Sequence, residues 1–266
     1  MIEVYVEKNT GNDATAIQKA VDFAHKNDIG KVIIPEGDWQ VNQTILLHSS
    51  ICIVLDGATV NYNSEDNNVL FKNSCSGTPV GNRVYNTQRH ITISGRNGGK
   101  IIGGCILLTN SEFCTIKGII FEAVSNFAII LASVMAIKVY DIQFVNCKNG
   151  VVLGTGTRDC FLNNISGSVE HNFMVIGDYL YEQFRRNHRY HVVFNNIIRN
   201  VNAKAQTLAY LCGRDVERIV FSDIKAEVDD VAFNVKQGKH ICFSGLNIKG
   251  NIINDDLKEN TVCFVD

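Results

Sequence analysis

Proline is nearly missing, with 2 residues in 266, and the chain has a single tryptophan and three methionines. So little proline leaves few forced breaks in backbone hydrogen bonding. No apolar run approaches the roughly eighteen residues of a membrane-spanning helix, which argues against a membrane partner. Neither sign of charge dominates: 25 Lys and Arg against 27 Asp and Glu give a net −2. The usual electrostatic case for a nucleic-acid partner is therefore missing as well. The start, Met-Ile-Glu-Val-Tyr-Val-Glu-Lys, has no basic region and no apolar signal core, so the chain reads as intracellular or as already stripped of a leader. Nine cysteines are an odd number and none form Cys-x-x-Cys, which argues against a disulfide framework and against a zinc site. The settings Ile51-Cys52-Ile53 and Ile241-Cys242-Phe243 read as buried free thiols acting as small hydrophobes, and favour a reducing compartment such as the cytoplasm. Ser94-Gly-Arg-Asn-Gly-Gly99 lacks the Gly-Lys-(Ser/Thr) ending of a phosphate loop, and no cofactor is called for.

What is present is 45% apolar and 20% charged residues, a globular composition, with much glycine and asparagine. One segment has helical period: Ile17, Ala20, Val21 and Ala24 recur at i, i+3, i+4 and i+7. Asp13 or Thr15 can cap its start, and Lys26, Asn27 and Gly30 supply a cationic last turn and a stop, giving a helix over 13–28. Beyond it a four-residue unit, apolar–any–(Gly/Asp/Asn)–(Ile/Leu), recurs six times. It reads Ile116-Lys-Gly-Ile119, Val139-Tyr-Asp-Ile142, Leu162-Asn-Asn-Ile165, Phe194-Asn-Asn-Ile197, Phe221-Ser-Asp-Ile224 and Phe243-Ser-Gly-Leu246. Its third residue is always one that reaches the left-handed backbone region cheaply. A bend repeated every coil, each followed by a short apolar strand, predicts an all-β chain. The expected fold is a parallel β-helix, a solenoid capped by the amphipathic helix, with 1–266 as one domain and an inserted loop at 178–191.

The segments Asp13-Ala-Thr-Ala-Ile-Gln-Lys-Ala-Val21, Gly30-Lys-Val-Ile-Ile-Pro-Glu-Gly-Asp-Trp39 and Ile53-Val-Leu-Asp-Gly-Ala-Thr59 resemble the opening of pectin-lyase-like right-handed parallel β-helix proteins. They are similar in particular to glycoside hydrolase family 28, the polygalacturonase-like proteins. The resemblance implies a right-handed coil and carbohydrate chemistry, but most of that family's catalytic motifs find no match. Cys147-Lys-Asn-Gly150 stands where the family has Asn-Thr-Asp-Gly, so Asn149 replaces a carboxylate. Val169-Glu170-His171 stands for Gly-Asp-Asp, Ala205-Gln206 for Gly-His-Gly, and Asn234-Val235-Lys236 for Arg-Ile-Lys.

Stacked coils bring equivalent positions into columns, and one column reads Asn149, Glu170/His171, Lys204/Gln206, Asp229/Asp230. Glu170 and Asp229 or Asp230 would lie two coils apart, on the order of 9–10 Å between backbones. That is near the separation of the two carboxyls in an inverting glycosidase, with His171 tuning or positioning water. On the following strands Val231, Phe233 and Val235 are expected to face inward. Leu208, Tyr210, Cys212, Met174, Ile176, Asp178, Ala232, Asn234 and Lys236 are expected to face out. Tyr210 could stack on a sugar ring. Asn149, Asp178, Asn234 and Lys236 are candidate substrate contacts, with Lys236 suited to a uronate carboxylate or to β-elimination. In the insertion, Arg185, Arg186 and His188 with Arg189 could clamp carboxylate or sulfate, and an oligomer contact is the alternative use of that cluster. The expected partner is an acidic poly- or oligosaccharide, and the expected chemistry hydrolysis by Glu170 with Asp229 or Asp230. A lyase or epimerase using Lys236, His171 or a tyrosine is one alternative; a non-catalytic, glycan-binding or tail-spike-like structural β-helix is the other.

Overall fold

The computed structural model describes residues 2–8, 13–64, 68–76, 88–179, 192–212, 216–236, 238–255 and 262–265. The helix runs over Asp13–Lys26 and buries Ala14, Ile17, Ala20, Val21 and Ala24. It ends two residues earlier than expected because Asp28, at φ 54°, takes the left-handed position itself. Ile29 N–H donates to Ala24 C=O at 2.8 Å and Asp28 N–H to His25 C=O at 3.3 Å, the paired bonds of a Schellman stop. Gly30 is not needed for it. The helix closes the first coil by hydrogen bonding as well as by packing. Gln18 accepts from Leu46 N–H at 2.7 Å and donates to Leu46 C=O at 3.1 Å, satisfying a strand edge that has no earlier rung to pair with.

From there the chain winds as a parallel β-helix with three strands per coil. Among the described residues every strand pair is parallel, and each links a coil to the next. In the first sheet one inward column reads Val32, Ile53, Ile93, Ile116, Val139, Leu162, Ile198, Phe221, Phe243. The second sheet stacks Trp39, Val60, Ile101, Phe121, Phe144, Gly167, Ala203, Ala226, Ile248. The third stacks Ile45, Phe71, Ile106, Ile129, Val151, Met174, Ala209, Phe233, Ile253. These columns form one continuous apolar core along the axis. Where the second sheet shrinks to alanine, aromatic bulk comes from the other two: Phe221 and Phe233 meet at 5.0 Å and Phe233 and Phe243 at 4.3 Å. With proline scarce, the last coils are unbroken bent strands, Val193–Cys212 and Val216–Val235, of 20 residues each.

The bend between the first and second sheets is a single left-handed residue: Gly118, Asp141, Asn164, Asn200, Asp223 and Gly245, with φ from 52° to 65°. Five of the six repeat units identified in the sequence sit at this bend. The sixth is misplaced. Leu162 pairs with Ile198 and Ile165 with Val201, so the true unit is Ile198-Arg-Asn-Val201. Asn196 is instead buried, accepting from Cys160 N–H at 2.9 Å and donating to Thr157 C=O at 3.2 Å. A second left-handed corner, between the third and first sheets, uses Phe113, Ala136, Asp159, Asn195, Arg218 and His240. Four of those six residues are not of the types that announce such a bend.

Candidate functional site

At the corner between the second and third sheets successive rungs carry Glu170/His171, Gln206 and Asp229/Asp230, whereas Lys204 lies in the second sheet, in register with Ser168 and Glu227. Glu170 N–H donates to Cys147 C=O, His171 N–H to Lys148 C=O, and Thr207 N–H to His171 C=O, each at 2.9–3.0 Å. Glu170, Gln206, Asp229 and Asp230 are exposed, and His171 Nε2 lies 3.8 Å from Glu170 Oε1. The rung carrying Gln206 separates Glu170 from the aspartates, and register shifts at this corner mark β-bulges on both flanking ladders. The corner is convex and open. Asn149 is buried among its neighbours: its amide oxygen accepts from Asn172 N–H at 3.1 Å, and its Nδ2 donates to Asn126 C=O at 3.4 Å.

The outer face of the third sheet departs from expectation. Tyr210 and Asn234 face out and are adjacent in register, but the residue below them is Val175. Met174, Ile176, Leu208 and Ala232 belong to the core, while Val231, Phe233 and Val235 are buried as expected. In strand Asn172–Gly177 the residue in register with Tyr210 is Val175 rather than Ile176, and a one-residue slip inverts every side chain. Gly177, not Asp178, sits in register with Cys212, so Asp178 and Lys236 do not share a column. Further back, this face carries Leu107, Ile130 and Val152, packed with Cys105, Phe127, Tyr179, Tyr210 and Cys212 in an apolar cluster of its own. Arg185, Arg186 and His188 lie outside the described residues. The cysteine reading holds in part. Cys105, Cys114, Cys147 and Cys160 are buried, and burial pushes the Cys105 and Cys160 thiols up to about 12. Cys52 and Cys242, however, are half-buried, between neighbours that point into the core.

Sequence reasoning missed a groove on the outer face of the second sheet. It has a volume of about 620 Å³ and runs from Gln143 and Val145, across Ser168, to Asn247 and Lys249. Small residues make it: Gly167 and Ser168 share one rung, beside rungs bearing longer residues. Gly167, at φ 123°, cannot be replaced without strain, since an added Cβ would lie 2.0 Å from Phe144 O. Lys204, Glu227 and Lys249 stand in one column, with Lys225 in the next. Glu227 bridges its neighbours, Oε1 at 3.4 Å from Lys204 Nζ and Oε2 at 3.5 Å from Lys249 Nζ. The Lys204 hydrogen bond and charge, then Lys249, hold the Glu227 carboxyl below its ordinary value. Three ammonium groups against one carboxylate leave the groove cationic. The signal was in the sequence: Asn202-Ala-Lys204, Lys225-Ala-Glu227 and Asn247-Ile-Lys249 alternate polar–small or apolar–polar just after each bend.

The fold is that of the pectin-lyase-like right-handed parallel β-helix proteins. No protein-family model matches the chain, and no curated protein matches its sequence. Among solved structures, the chain is similar to a hyperthermoactive exopolygalacturonase from Thermotoga maritima, with TM-score 0.62 and 9% identity over 94% of this chain and 76% of that one. It is similar to PfbA, a surface adhesin of Streptococcus pneumoniae, with TM-score 0.61 and 15% identity over 97% and 80% of the two chains. An endo-xylogalacturonan hydrolase from Aspergillus tubingensis gives TM-score 0.54 and 12% identity over 99% of both. At such identities the likeness is one of fold.

Proposed function

We propose that this β-helix is a carbohydrate-binding protein that takes an acidic oligosaccharide in the groove of its second sheet. The observation that carries the reading is the lysine set Lys204, Lys225 and Lys249 on a trough flanked by the amides of Gln143, Asn202 and Asn247. Ammonium groups suit carboxylate or sulfate on a sugar, and amides and serine suit its hydroxyls. Five rungs span on the order of 19 Å at ~4.8 Å each, a length suited to an oligosaccharide rather than a monosaccharide. The folds it resembles occur in an adhesin as well as in hydrolases of polyuronides, so a binding role is in keeping with the architecture. An array of uronate, sulfated and neutral glycans tests this. Retention of the acidic set only, weakening as salt rises, is the expected result; equal retention of neutral glycans would refute it.

A second reading, hydrolysis, rests on adjacency. Ser168 and Glu227 line the groove, and each lies two residues before a corner acid, Glu170 and Asp229 respectively. A glycan leaving the groove over that corner would meet Glu170 and then Asp229 or Asp230, two rungs on. In this reading one carboxyl protonates the leaving oxygen and the other activates water. Release of reducing ends that stops in both Glu170→Gln and Asp230→Asn supports it. Unsaturated products would point to elimination, and no product at all to binding alone.

A further inference from the structure

The last described rung has a feature that carbohydrate binding does not use. The last described rung, Val262–Val265, pairs in parallel with the coil before it through Ile241↔Val262, Cys242↔Cys263, Phe243↔Phe264 and Ser244↔Val265. Ile241 and Phe243 point into the core, so Cys242 points outward, and Cys263 stands directly above it. Their sulfurs are 2.6 Å apart, and both residues are partly exposed. In-register neighbours on parallel strands have Cα atoms ~4.8 Å apart, inside the roughly 4.4–6.8 Å range that a disulfide spans.

We propose that Cys242 and Cys263 are a modification site, a reversible disulfide that fastens the rung Val262–Val265 to the coil beneath it. The oxidant is a low-molecular-weight disulfide of the glutathione class. One cysteine thiolate attacks it, forming a mixed disulfide and releasing one small thiol; the second cysteine then displaces the other. Two protein thiols lose two electrons and two protons, and the small disulfide gains them as two thiols. Because the thiolate is the nucleophile, the reaction quickens as pH rises.

The test equilibrates the whole chain with reduced and oxidised glutathione mixtures, blocks the remaining thiols and maps them by mass spectrometry. Seven of the nine cysteines should remain as thiols, with one cross-linked peptide pair containing Cys242 and Cys263. Amide exchange across 262–265 should slow several-fold relative to the reduced protein. The Cys242→Ser and Cys263→Ser variants should each form no cross-linked peptide pair, and the cysteine left at the pair should carry any small-thiol adduct as an unresolved mixed disulfide. Nine free thiols under conditions that oxidise an exposed control dithiol would overturn the proposal. So would a cross-link through other cysteines, or unchanged exchange at that rung. The wild-type map decides the matter even if a serine variant fails to fold.

Discussion

Glu227 decides how cationic the groove is, because it lies between Lys204 and Lys249 and competes with a ligand for both. Replacing it with glutamine removes that competitor while keeping a hydrogen-bonding amide. Glu227→Gln should tighten a sulfated oligosaccharide several-fold, read by isothermal titration; weaker binding would show the carboxylate to be a ligand contact. In the wild type the same gain should come only in acid. Its carboxyl is held below the ordinary 4.5, so it stays ionised until pH falls through that lowered value, whereas a sulfate remains charged throughout. Ala136 makes a different single-residue point. It holds φ 55° without being Gly, Asn or Asp, a strained choice for an L side chain. Ala136→Gly should relieve this and raise stability by up to about 1 kcal/mol in a denaturant titration, the gain being offset in part by glycine's backbone entropy. The corner it occupies was invisible in the sequence for that reason. The bend at Gly118, Asp141 and Asn164 is legible because its residue types advertise it, while Phe113 and Ala136 adopt the same backbone with their N–H groups donating to Met135 C=O and Arg158 C=O of the next rung, each at 3.1 Å.

Among the elements, the N-terminal helix is the clearest case of sequence dictating structure. Its apolar period predicts four of the five buried positions, all but Ala14, and that face packs on the first coil. Ile17 is fully buried there, so Ile17→Ala should cost about 2–5 kcal/mol of stability. Hydrogen exchange should rise first in strands Lys31–Ile34 and Ile45–Leu47 beneath it; uniform change along the chain would contradict a local cap. Strand phase was harder to read than strand position. In Asn172–Gly177 nearly every residue is apolar on both faces, so alternation gives no phase, and Met174 and Ile176 were expected outside when they are core. The unit at Phe194–Ile197 failed for a related reason: Asn195-Asn196 mimics the true bend at Asn200, and only the register with Leu162 and Ile165 distinguishes them.

At the scale of the whole molecule, the solenoid converts a small local alternation into a surface. Lys204, Lys225 and Lys249 are scattered over 46 residues of sequence yet occupy neighbouring rungs. The corner acids Glu170, Asp229 and Asp230 are brought into line by the same winding. The solenoid is legible in the repeat unit, but the same pattern points to a groove on the third sheet. There, outward Leu107, Ile130, Val152 and Val175 make an apolar face instead. The most direct test is a calorimetric titration of a uronate oligosaccharide into the wild type and into a Lys204→Ala/Lys225→Ala/Lys249→Ala variant whose circular dichroism is unchanged. Binding by the wild type, weakened at least about tenfold (about 1.4 kcal/mol) in the variant, is the predicted result; equal affinity in the two proteins would contradict it.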